Sequence, residues 1–156
     1  MTQPFLYSVE RTFHAPISKL WTAWTFAEEL EEWYHPTDLK SLKGATTSDL
    51  KVGGLWTCGV EVPKHGFIAY FYGKYLKIEE LKKIEHTLHY TQSKDEFEAK
   101  DFETPSHLIV LDFEDHEEKS WVKFSQFGTL PEGEEKLAQA GMESYLDSLE
   151  LFLTRN

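Results

Sequence analysis

In the last part of the chain, Pro131 to Asn156, apolar residues recur at three- and four-residue steps. Leu137, Gly141, Tyr145, Leu149 and Phe152 form one line, and Met142, Leu146 and Leu153 an adjoining one. That spacing predicts one long helix whose apolar stripe is wide and needs a broad partner, such as a sheet wrapped around it. Pro131 is compatible with a helix start, Glu132, Glu134 and Glu135 lie where the helix dipole is positive, and Arg155 puts a cation at the far end. Gly141 interrupts the stripe at its middle and costs up to about 1 kcal/mol of helix propensity, so another segment, most simply a crossing strand, is expected to approach closely there.

Upstream the period changes to two. Phe5 to Phe13 alternates as a first strand, with Phe5, Tyr7, Val9, Arg11 and Phe13 on one side, and Ala15-Pro16 ends it. Two short helices follow. Ser18 is the expected cap of one that buries Leu20, Trp21, Ala23 and Trp24, and Thr25-Phe26-Ala27-Glu28 fits a capping box for another that buries Phe26, Leu30 and Trp33. After Pro36, strands are expected at Leu42–Asp49 (weak, broken by Gly44), Leu55–Val62, Phe67–Ile78, Ile84–Gln92, His107–Glu114 and Ser120–Phe127, with Ser93–Pro105 a polar loop. Trp56, Cys58, Val60 and Val62 share one face, as do His86, Leu88 and Tyr90. Successive strands joined by short turns are antiparallel, so the order strand, two helices, six strands, helix predicts an α+β domain with its helices on one face of the sheet.

Bulk properties narrow the partners. The 156 residues suit a single domain spanning 1–156, and a net charge of −11 without any basic cluster excludes a nucleic-acid or anionic-membrane surface. No apolar run is long enough to insert into a bilayer. Met1 to Tyr7 lacks the pattern of a secretory signal and Cys58 has no second cysteine to pair with, which predicts a reducing, cytoplasmic setting.

Seven histidines invite a metal or acid–base reading, but the spacings exclude one. His86 and His89, three apart on a strand, face opposite sides; His35 and Asp38 flank Pro36 in a solvated turn. No HExxH, CxxC or GxSxG occurs, and Gly53-Gly54 is a hairpin turn rather than a phosphate loop. Cys58 has no neighbouring cation to activate it. No metal, cofactor or catalytic residue is therefore assigned. The aromatic residues, 15% of the chain, exceed what a packed sheet-on-helix core needs, and the hydroxyls of Tyr70, Tyr72, Tyr75, Tyr90 and Tyr145 need partners wherever they are buried.

The order of elements, with APISKLWTAWT at 15–25, WYHP at 33–36, Gly53-Gly54-Leu55-Trp56, GKYLKI at 73–78 and GMESYLDSLELFL at 141–153, resembles the activator of heat-shock protein 90 ATPase homologue family of the START-like (SRPBCC), helix-grip superfamily. The resemblance implies a curved antiparallel sheet of about seven strands gripping the terminal helix, and between them a cavity that in relatives holds apolar or aromatic small molecules. Where many members carry Gly-Trp in the last helix this chain has Gly141-Met142, which changes cavity volume and removes a donor. Trp33, Trp56, Cys58 and Tyr90 are the expected wall on the sheet and short-helix side, with Met142 and Tyr145 on the terminal helix. Tyr70 is assigned to the wall in preference to Tyr75, a choice that one residue of register reverses. The family name further implies a stress-related, co-chaperone partnership with heat-shock protein 90, although the eukaryotic activators carry an additional amino-terminal domain for which this length leaves no room. Some superfamily relatives cyclise aromatic polyketides; here His86, Tyr90 or Asp112 would carry such chemistry. A second copy of the chain stays open as a partner.

Overall fold

The computed structural model describes residues 3–155, so Met1, Thr2 and the predicted helix end at Asn156 lie outside it. Six long strands carry the fold: β1 (Phe5–Phe13), β4 (Leu55–Val62), β5 (Phe67–Glu79), β6 (Lys83–Thr91), β7 (His107–His116) and β8 (Lys119–Phe127). They pair antiparallel in the order β1-β8-β7-β6-β5-β4, and two two-residue strands, β2 (Lys40–Ser41) and β3 (Thr47–Ser48), both add to β4. The weak strand expected over Leu42–Asp49 is thus reduced to those two short pairings, with Gly44 between them in a left-handed turn. Because β1 and β4 lie at opposite sides of the sheet, the chain crosses the concave face between them. That crossing is made by α1 (Ile17–Thr25) and α2 (Ala27–Trp33).

The two short helices form where expected but are capped differently. Helix α1 begins at Ile17 after Pro16, whose carbonyl accepts from the Lys19 and Leu20 amides at 3.0 and 3.3 Å; Ser18 lies inside the first turn. The Thr25 hydroxyl is spent on the Trp21 carbonyl at 2.7 Å, so the capping box does not form, and Phe26 becomes the extended joint between the helices with its ring 53% exposed. Trp33 locks the pair by donating its indole N–H to the Ala23 carbonyl at 2.7 Å.

The segment expected as a polar loop contains a third helix, α3 (Lys94–Ala99), capped by Ser93, whose hydroxyl accepts from the Glu96 amide at 3.2 Å. It lies on the convex face and buries Phe97 against Tyr70, stacked at 4.5 Å, beside Tyr72. Tyr70 therefore faces away from the terminal helix, whereas Tyr75, five residues on, is buried in the main core. His89 also lies on the convex side, stacked on Tyr72 at 4.8 Å, while His86 points inward against Trp56 at 4.6 Å. Trp56 reaches that position because residue 73 is glycine. A Cβ there would lie 2.5 Å from the indole nitrogen, which donates across the strand to the Thr87 carbonyl at 3.1 Å.

The terminal helix α4 (Glu134–Arg155) is seated mainly from Met142 onward, with Gln139 donating to the Ser8 carbonyl at 3.3 Å nearer its start. Its buried residues run from Met142 through Leu146, Ser148, Leu149 and Phe152 to Leu153, and its closest backbone neighbours are β1, α2 and α1. Arg11 on β1 reaches Asp147 at 2.8 Å, Glu143 at 3.4 Å and Glu150 at 3.5 Å, and Ser148 donates to the His35 carbonyl at 2.7 Å. The first half overhangs the sheet. Leu137, expected in the buried stripe, is 73% exposed, and a Cβ added to Gly141 would meet no neighbouring atom within 4 Å. The strand expected to cross at Gly141 is absent; the glycine faces open space.

Below Tyr34, at the floor of the concave face, Trp24, Tyr34, Trp56, Cys58, Tyr75 and His86 bound a void of about 20 Å³. Burial holds the His86 imidazole neutral by lowering its pKa from 6.5 to about 4, partly opposed by its bond to the Thr87 carbonyl. An unfolded chain protonates this histidine near pH 6.5 while the folded one resists down to about 4, so folding is increasingly disfavoured as pH falls through that window. We predict that His86 removes about 2 kcal/mol of stability between pH 7 and pH 5. Denaturant midpoints at the two pH values, for the native protein and His86→Gln, check this: the native drop exceeds the variant's by about that amount, and equal drops would contradict it.

Candidate functional site

Under the overhanging half of α4 the concave face encloses a cavity of about 510 Å³ that opens beside the α4 N-terminus. Its roof is Ala138, Gly141 and Met142, one helical turn in which two small residues keep the backbone clear of the sheet. Its floor is the inward row of the strands: Phe71 on β5, Leu88 and Tyr90 on β6, and Phe124 on β8. Pro105 and Ser106 from the α3–β7 loop and Leu130 from the β8–α4 loop form the mouth. Tyr34 and Tyr145 close the inner end, packed edge to face at 4.9 Å. Tyr34 also bounds the small void below and contacts Trp24, Trp33 and Trp56, so one ring separates the cavity from the deep core.

The polar lining is ordered by one chain of hydrogen bonds. The Tyr7 hydroxyl donates to Gln126 Oε1 at 2.7 Å, and Gln126 Nε2 donates to His107 Nδ1 at 2.7 Å. With Nδ1 accepting, the proton sits on Nε2, which donates to the Thr129 carbonyl at 3.3 Å. Gly128 makes this possible, since a Cβ there would lie 2.4 Å from the His107 ring. Tyr90, 52% exposed at the rim, accepts from Gln92 Nε2 at 2.7 Å. No Lys, Arg, Asp or Glu lines the cavity. Burial raises the pKa of Tyr7, Tyr34 and Tyr145 well above the usual phenol range, so all three stay protonated.

Of the residues expected in the wall, Tyr90, Met142 and Tyr145 line the cavity, and Trp56 and Cys58 line the void beneath it. Trp33 belongs to the packing between α1 and α2, and Tyr70 lies on the convex face. Tyr7, Tyr34, Gln126 and His107 are wall residues outside the expected set. Tyr7 stands in the inward row that the alternation of β1 defines, and Tyr34 directly follows Trp33; Gln126 and His107 enter through a pairing across the β7–β8 ladder that no local pattern encodes.

The groups weighed for chemistry do not converge. His86 lies below Tyr34 in the void, Tyr90 is at the rim, and Asp112 faces solvent beside Lys83 at 3.2 Å. Cys58 is buried with its thiol pKa raised, which disfavours the thiolate a nucleophile needs. Among the described residues no cluster of three or more His, Cys, Asp or Glu is arranged for a metal ion, and no helix is long and apolar enough to cross a membrane.

The architecture recurs in solved proteins. A Chromobacterium violaceum protein aligns over 94% of this chain and 95% of its own with a TM-score of 0.77 at 17% identity. A Staphylococcus epidermidis protein aligns over 95% and 88% with a TM-score of 0.76 at 28% identity, and a Mycobacterium smegmatis protein over 96% and 90% with 0.76 at 16%. These likenesses establish the helix-grip fold, and no curated protein matches the chain. The model of the family described as activator of Hsp90 ATPase homolog 1-like protein matches residues 14–154, and the chain belongs to that family.

Proposed function

We propose that this protein binds a small apolar or aromatic molecule in the cavity between its sheet and α4. The observation that carries the reading is the roof: helix α4 passes over an open-mouthed space of about 510 Å³ with Gly141 facing it, although a larger residue there would meet no obstruction. That volume lies within the usual range for small-molecule sites, and the walls combine aromatic and aliphatic surface with a few fixed polar groups, as such sites do. Family membership supports the same reading, since proteins of this family commonly bind hydrophobic ligands. Binding is favoured over turnover because His86, Tyr90 and Asp112 are in three separate places.

The test fills the space from above. Gly141→Leu should fold and keep at least native stability while weakening binding of a naphthalene-type probe tenfold or more, as measured by calorimetry. Unchanged affinity in a stably folded variant would exclude this cavity as the site. Gly141→Ala separates helix propensity from filling: its folding stability should rise by about 0.5–1 kcal/mol in a denaturant titration, because an alanine replaces a mid-helix glycine where there is room for its methyl group.

A further inference from the structure

Two hydrogen-bonding groups at the inner end of the cavity have no partner among the described residues. Tyr34 follows α2, Tyr145 projects from α4, and their rings meet at 4.9 Å with planes 78° apart. Other tyrosines of the concave side have partners: Tyr7 donates to Gln126 at 2.7 Å and Tyr75 shares a 2.8 Å bond with Ser48. The hydroxyls of Tyr34 and Tyr145 have none among the described residues. Neither hydroxyl is sealed from the cavity, so each can bond a guest that enters it. Two such groups on one wall make it a poor surface for a hydrocarbon and a good one for an oxygen atom that accepts hydrogen bonds.

The lining also bears on charge. Among the described residues a carboxylate in the cavity would find no Lys or Arg in the lining, and the imidazole there, His107, has Nδ1 committed to Gln126 and Nε2 to Thr129. Burying an anion without a counter-ion is strongly unfavourable, and the net charge of −11 repels it before entry. The two tyrosines are themselves uncharged donors, because burial keeps their phenols protonated.

Resting on the binding reading above, we infer that the cavity selects neutral oxygen-bearing guests, such as aryl ketones, whose oxygen is held by the hydroxyls of Tyr34 and Tyr145, over hydrocarbons and carboxylates of the same shape. Tyr34 bounds both the cavity and the void beneath it, so the oxygen lies at the inner end and the apolar body extends toward the mouth at Pro105 and Leu130. The two tyrosines are specificity residues and have no part in any bond-breaking step.

Three probes of nearly equal shape test this: 2-acetylnaphthalene, 2-isopropylnaphthalene and 2-naphthoate, measured by calorimetry on the native protein, Tyr34→Phe, Tyr145→Phe and the double variant. The double variant should lower the ratio of ketone to hydrocarbon affinity by about tenfold or more, the effect of losing two modest hydrogen bonds. The naphthoate should bind native protein at least tenfold more weakly than the ketone. An unchanged ratio in the double variant, or a carboxylate that binds as well as the ketone, would overturn the selectivity while leaving the cavity as a binding site. If none of the three binds native protein at millimolar concentration, the binding reading fails with it.

Discussion

The structure depends on how α4 is held: firmly along its second half, and along its first only by lighter contacts such as Gln139 with the Ser8 carbonyl at 3.3 Å. Leu146, Leu149 and Leu153 sink into the core that α1 and α2 complete, and Arg11 draws three carboxylates of the same helix onto β1. The side chain of Arg11 is 22% exposed and those of its three partners 51–57%, so the network adds a modest charge-assisted tether between helix and sheet edge. Once the second half is seated, a rigid helix must carry its first half across the sheet at the same height. The space left beneath is the cavity.

Tyr34 keeps that space from collapsing inward. Its ring touches Trp24 and Trp33 on the short helices, Trp56 on the sheet and Tyr145 on α4, so four elements meet on one side chain. Edge-to-face contacts of this kind each add a modest stabilisation beyond area burial, and together they define where packed core ends and cavity begins. Below Tyr34 the interior is dense apart from the small void of about 20 Å³; above it the lining is largely apolar with an ordered polar chain through Tyr7, Gln126 and His107. The polar chain is complete in itself, which leaves Tyr34 and Tyr145 as the donors available to a guest at the inner end.

The elements and the family were legible in the sequence because their signals are local or strongly periodic. The stripe on α4, the alternation of β4 to β8 and the Gly53-Gly54-Leu55-Trp56 turn led to an α+β helix grip, and that is the fold. Helix α3 was missed although Ser93 and Glu96 have capping-box spacing, because six residues with one buried apolar side chain, Phe97, show no period. Thr25 misled for a related reason: its hydroxyl suits a cap, but as the last residue of α1 it bonds back to Trp21. At the site, Met142 and Tyr145 follow from the helix stripe and Tyr90 from the row it shares with His86 and Leu88. Tyr70 was placed inward because one residue of register separates the two faces, and on β5 it is Phe71 and Tyr75 that point in. Gly141 was read as a site of close approach, whereas it marks the opposite. A glycine that makes room for a neighbour and one that borders empty space look alike in sequence.

The central claim is that the space under the first half of α4 is where a guest resides. Methyl resonances report this directly in a titration of the labelled protein with 2-acetylnaphthalene. The account predicts saturable shifts at Leu88, Leu130, Ala138 and Met142, which border the cavity, and none at Ala45 and Ile68, which pack on the convex side. Shifts confined to the convex cluster, or no saturable shift at the roof, would contradict it.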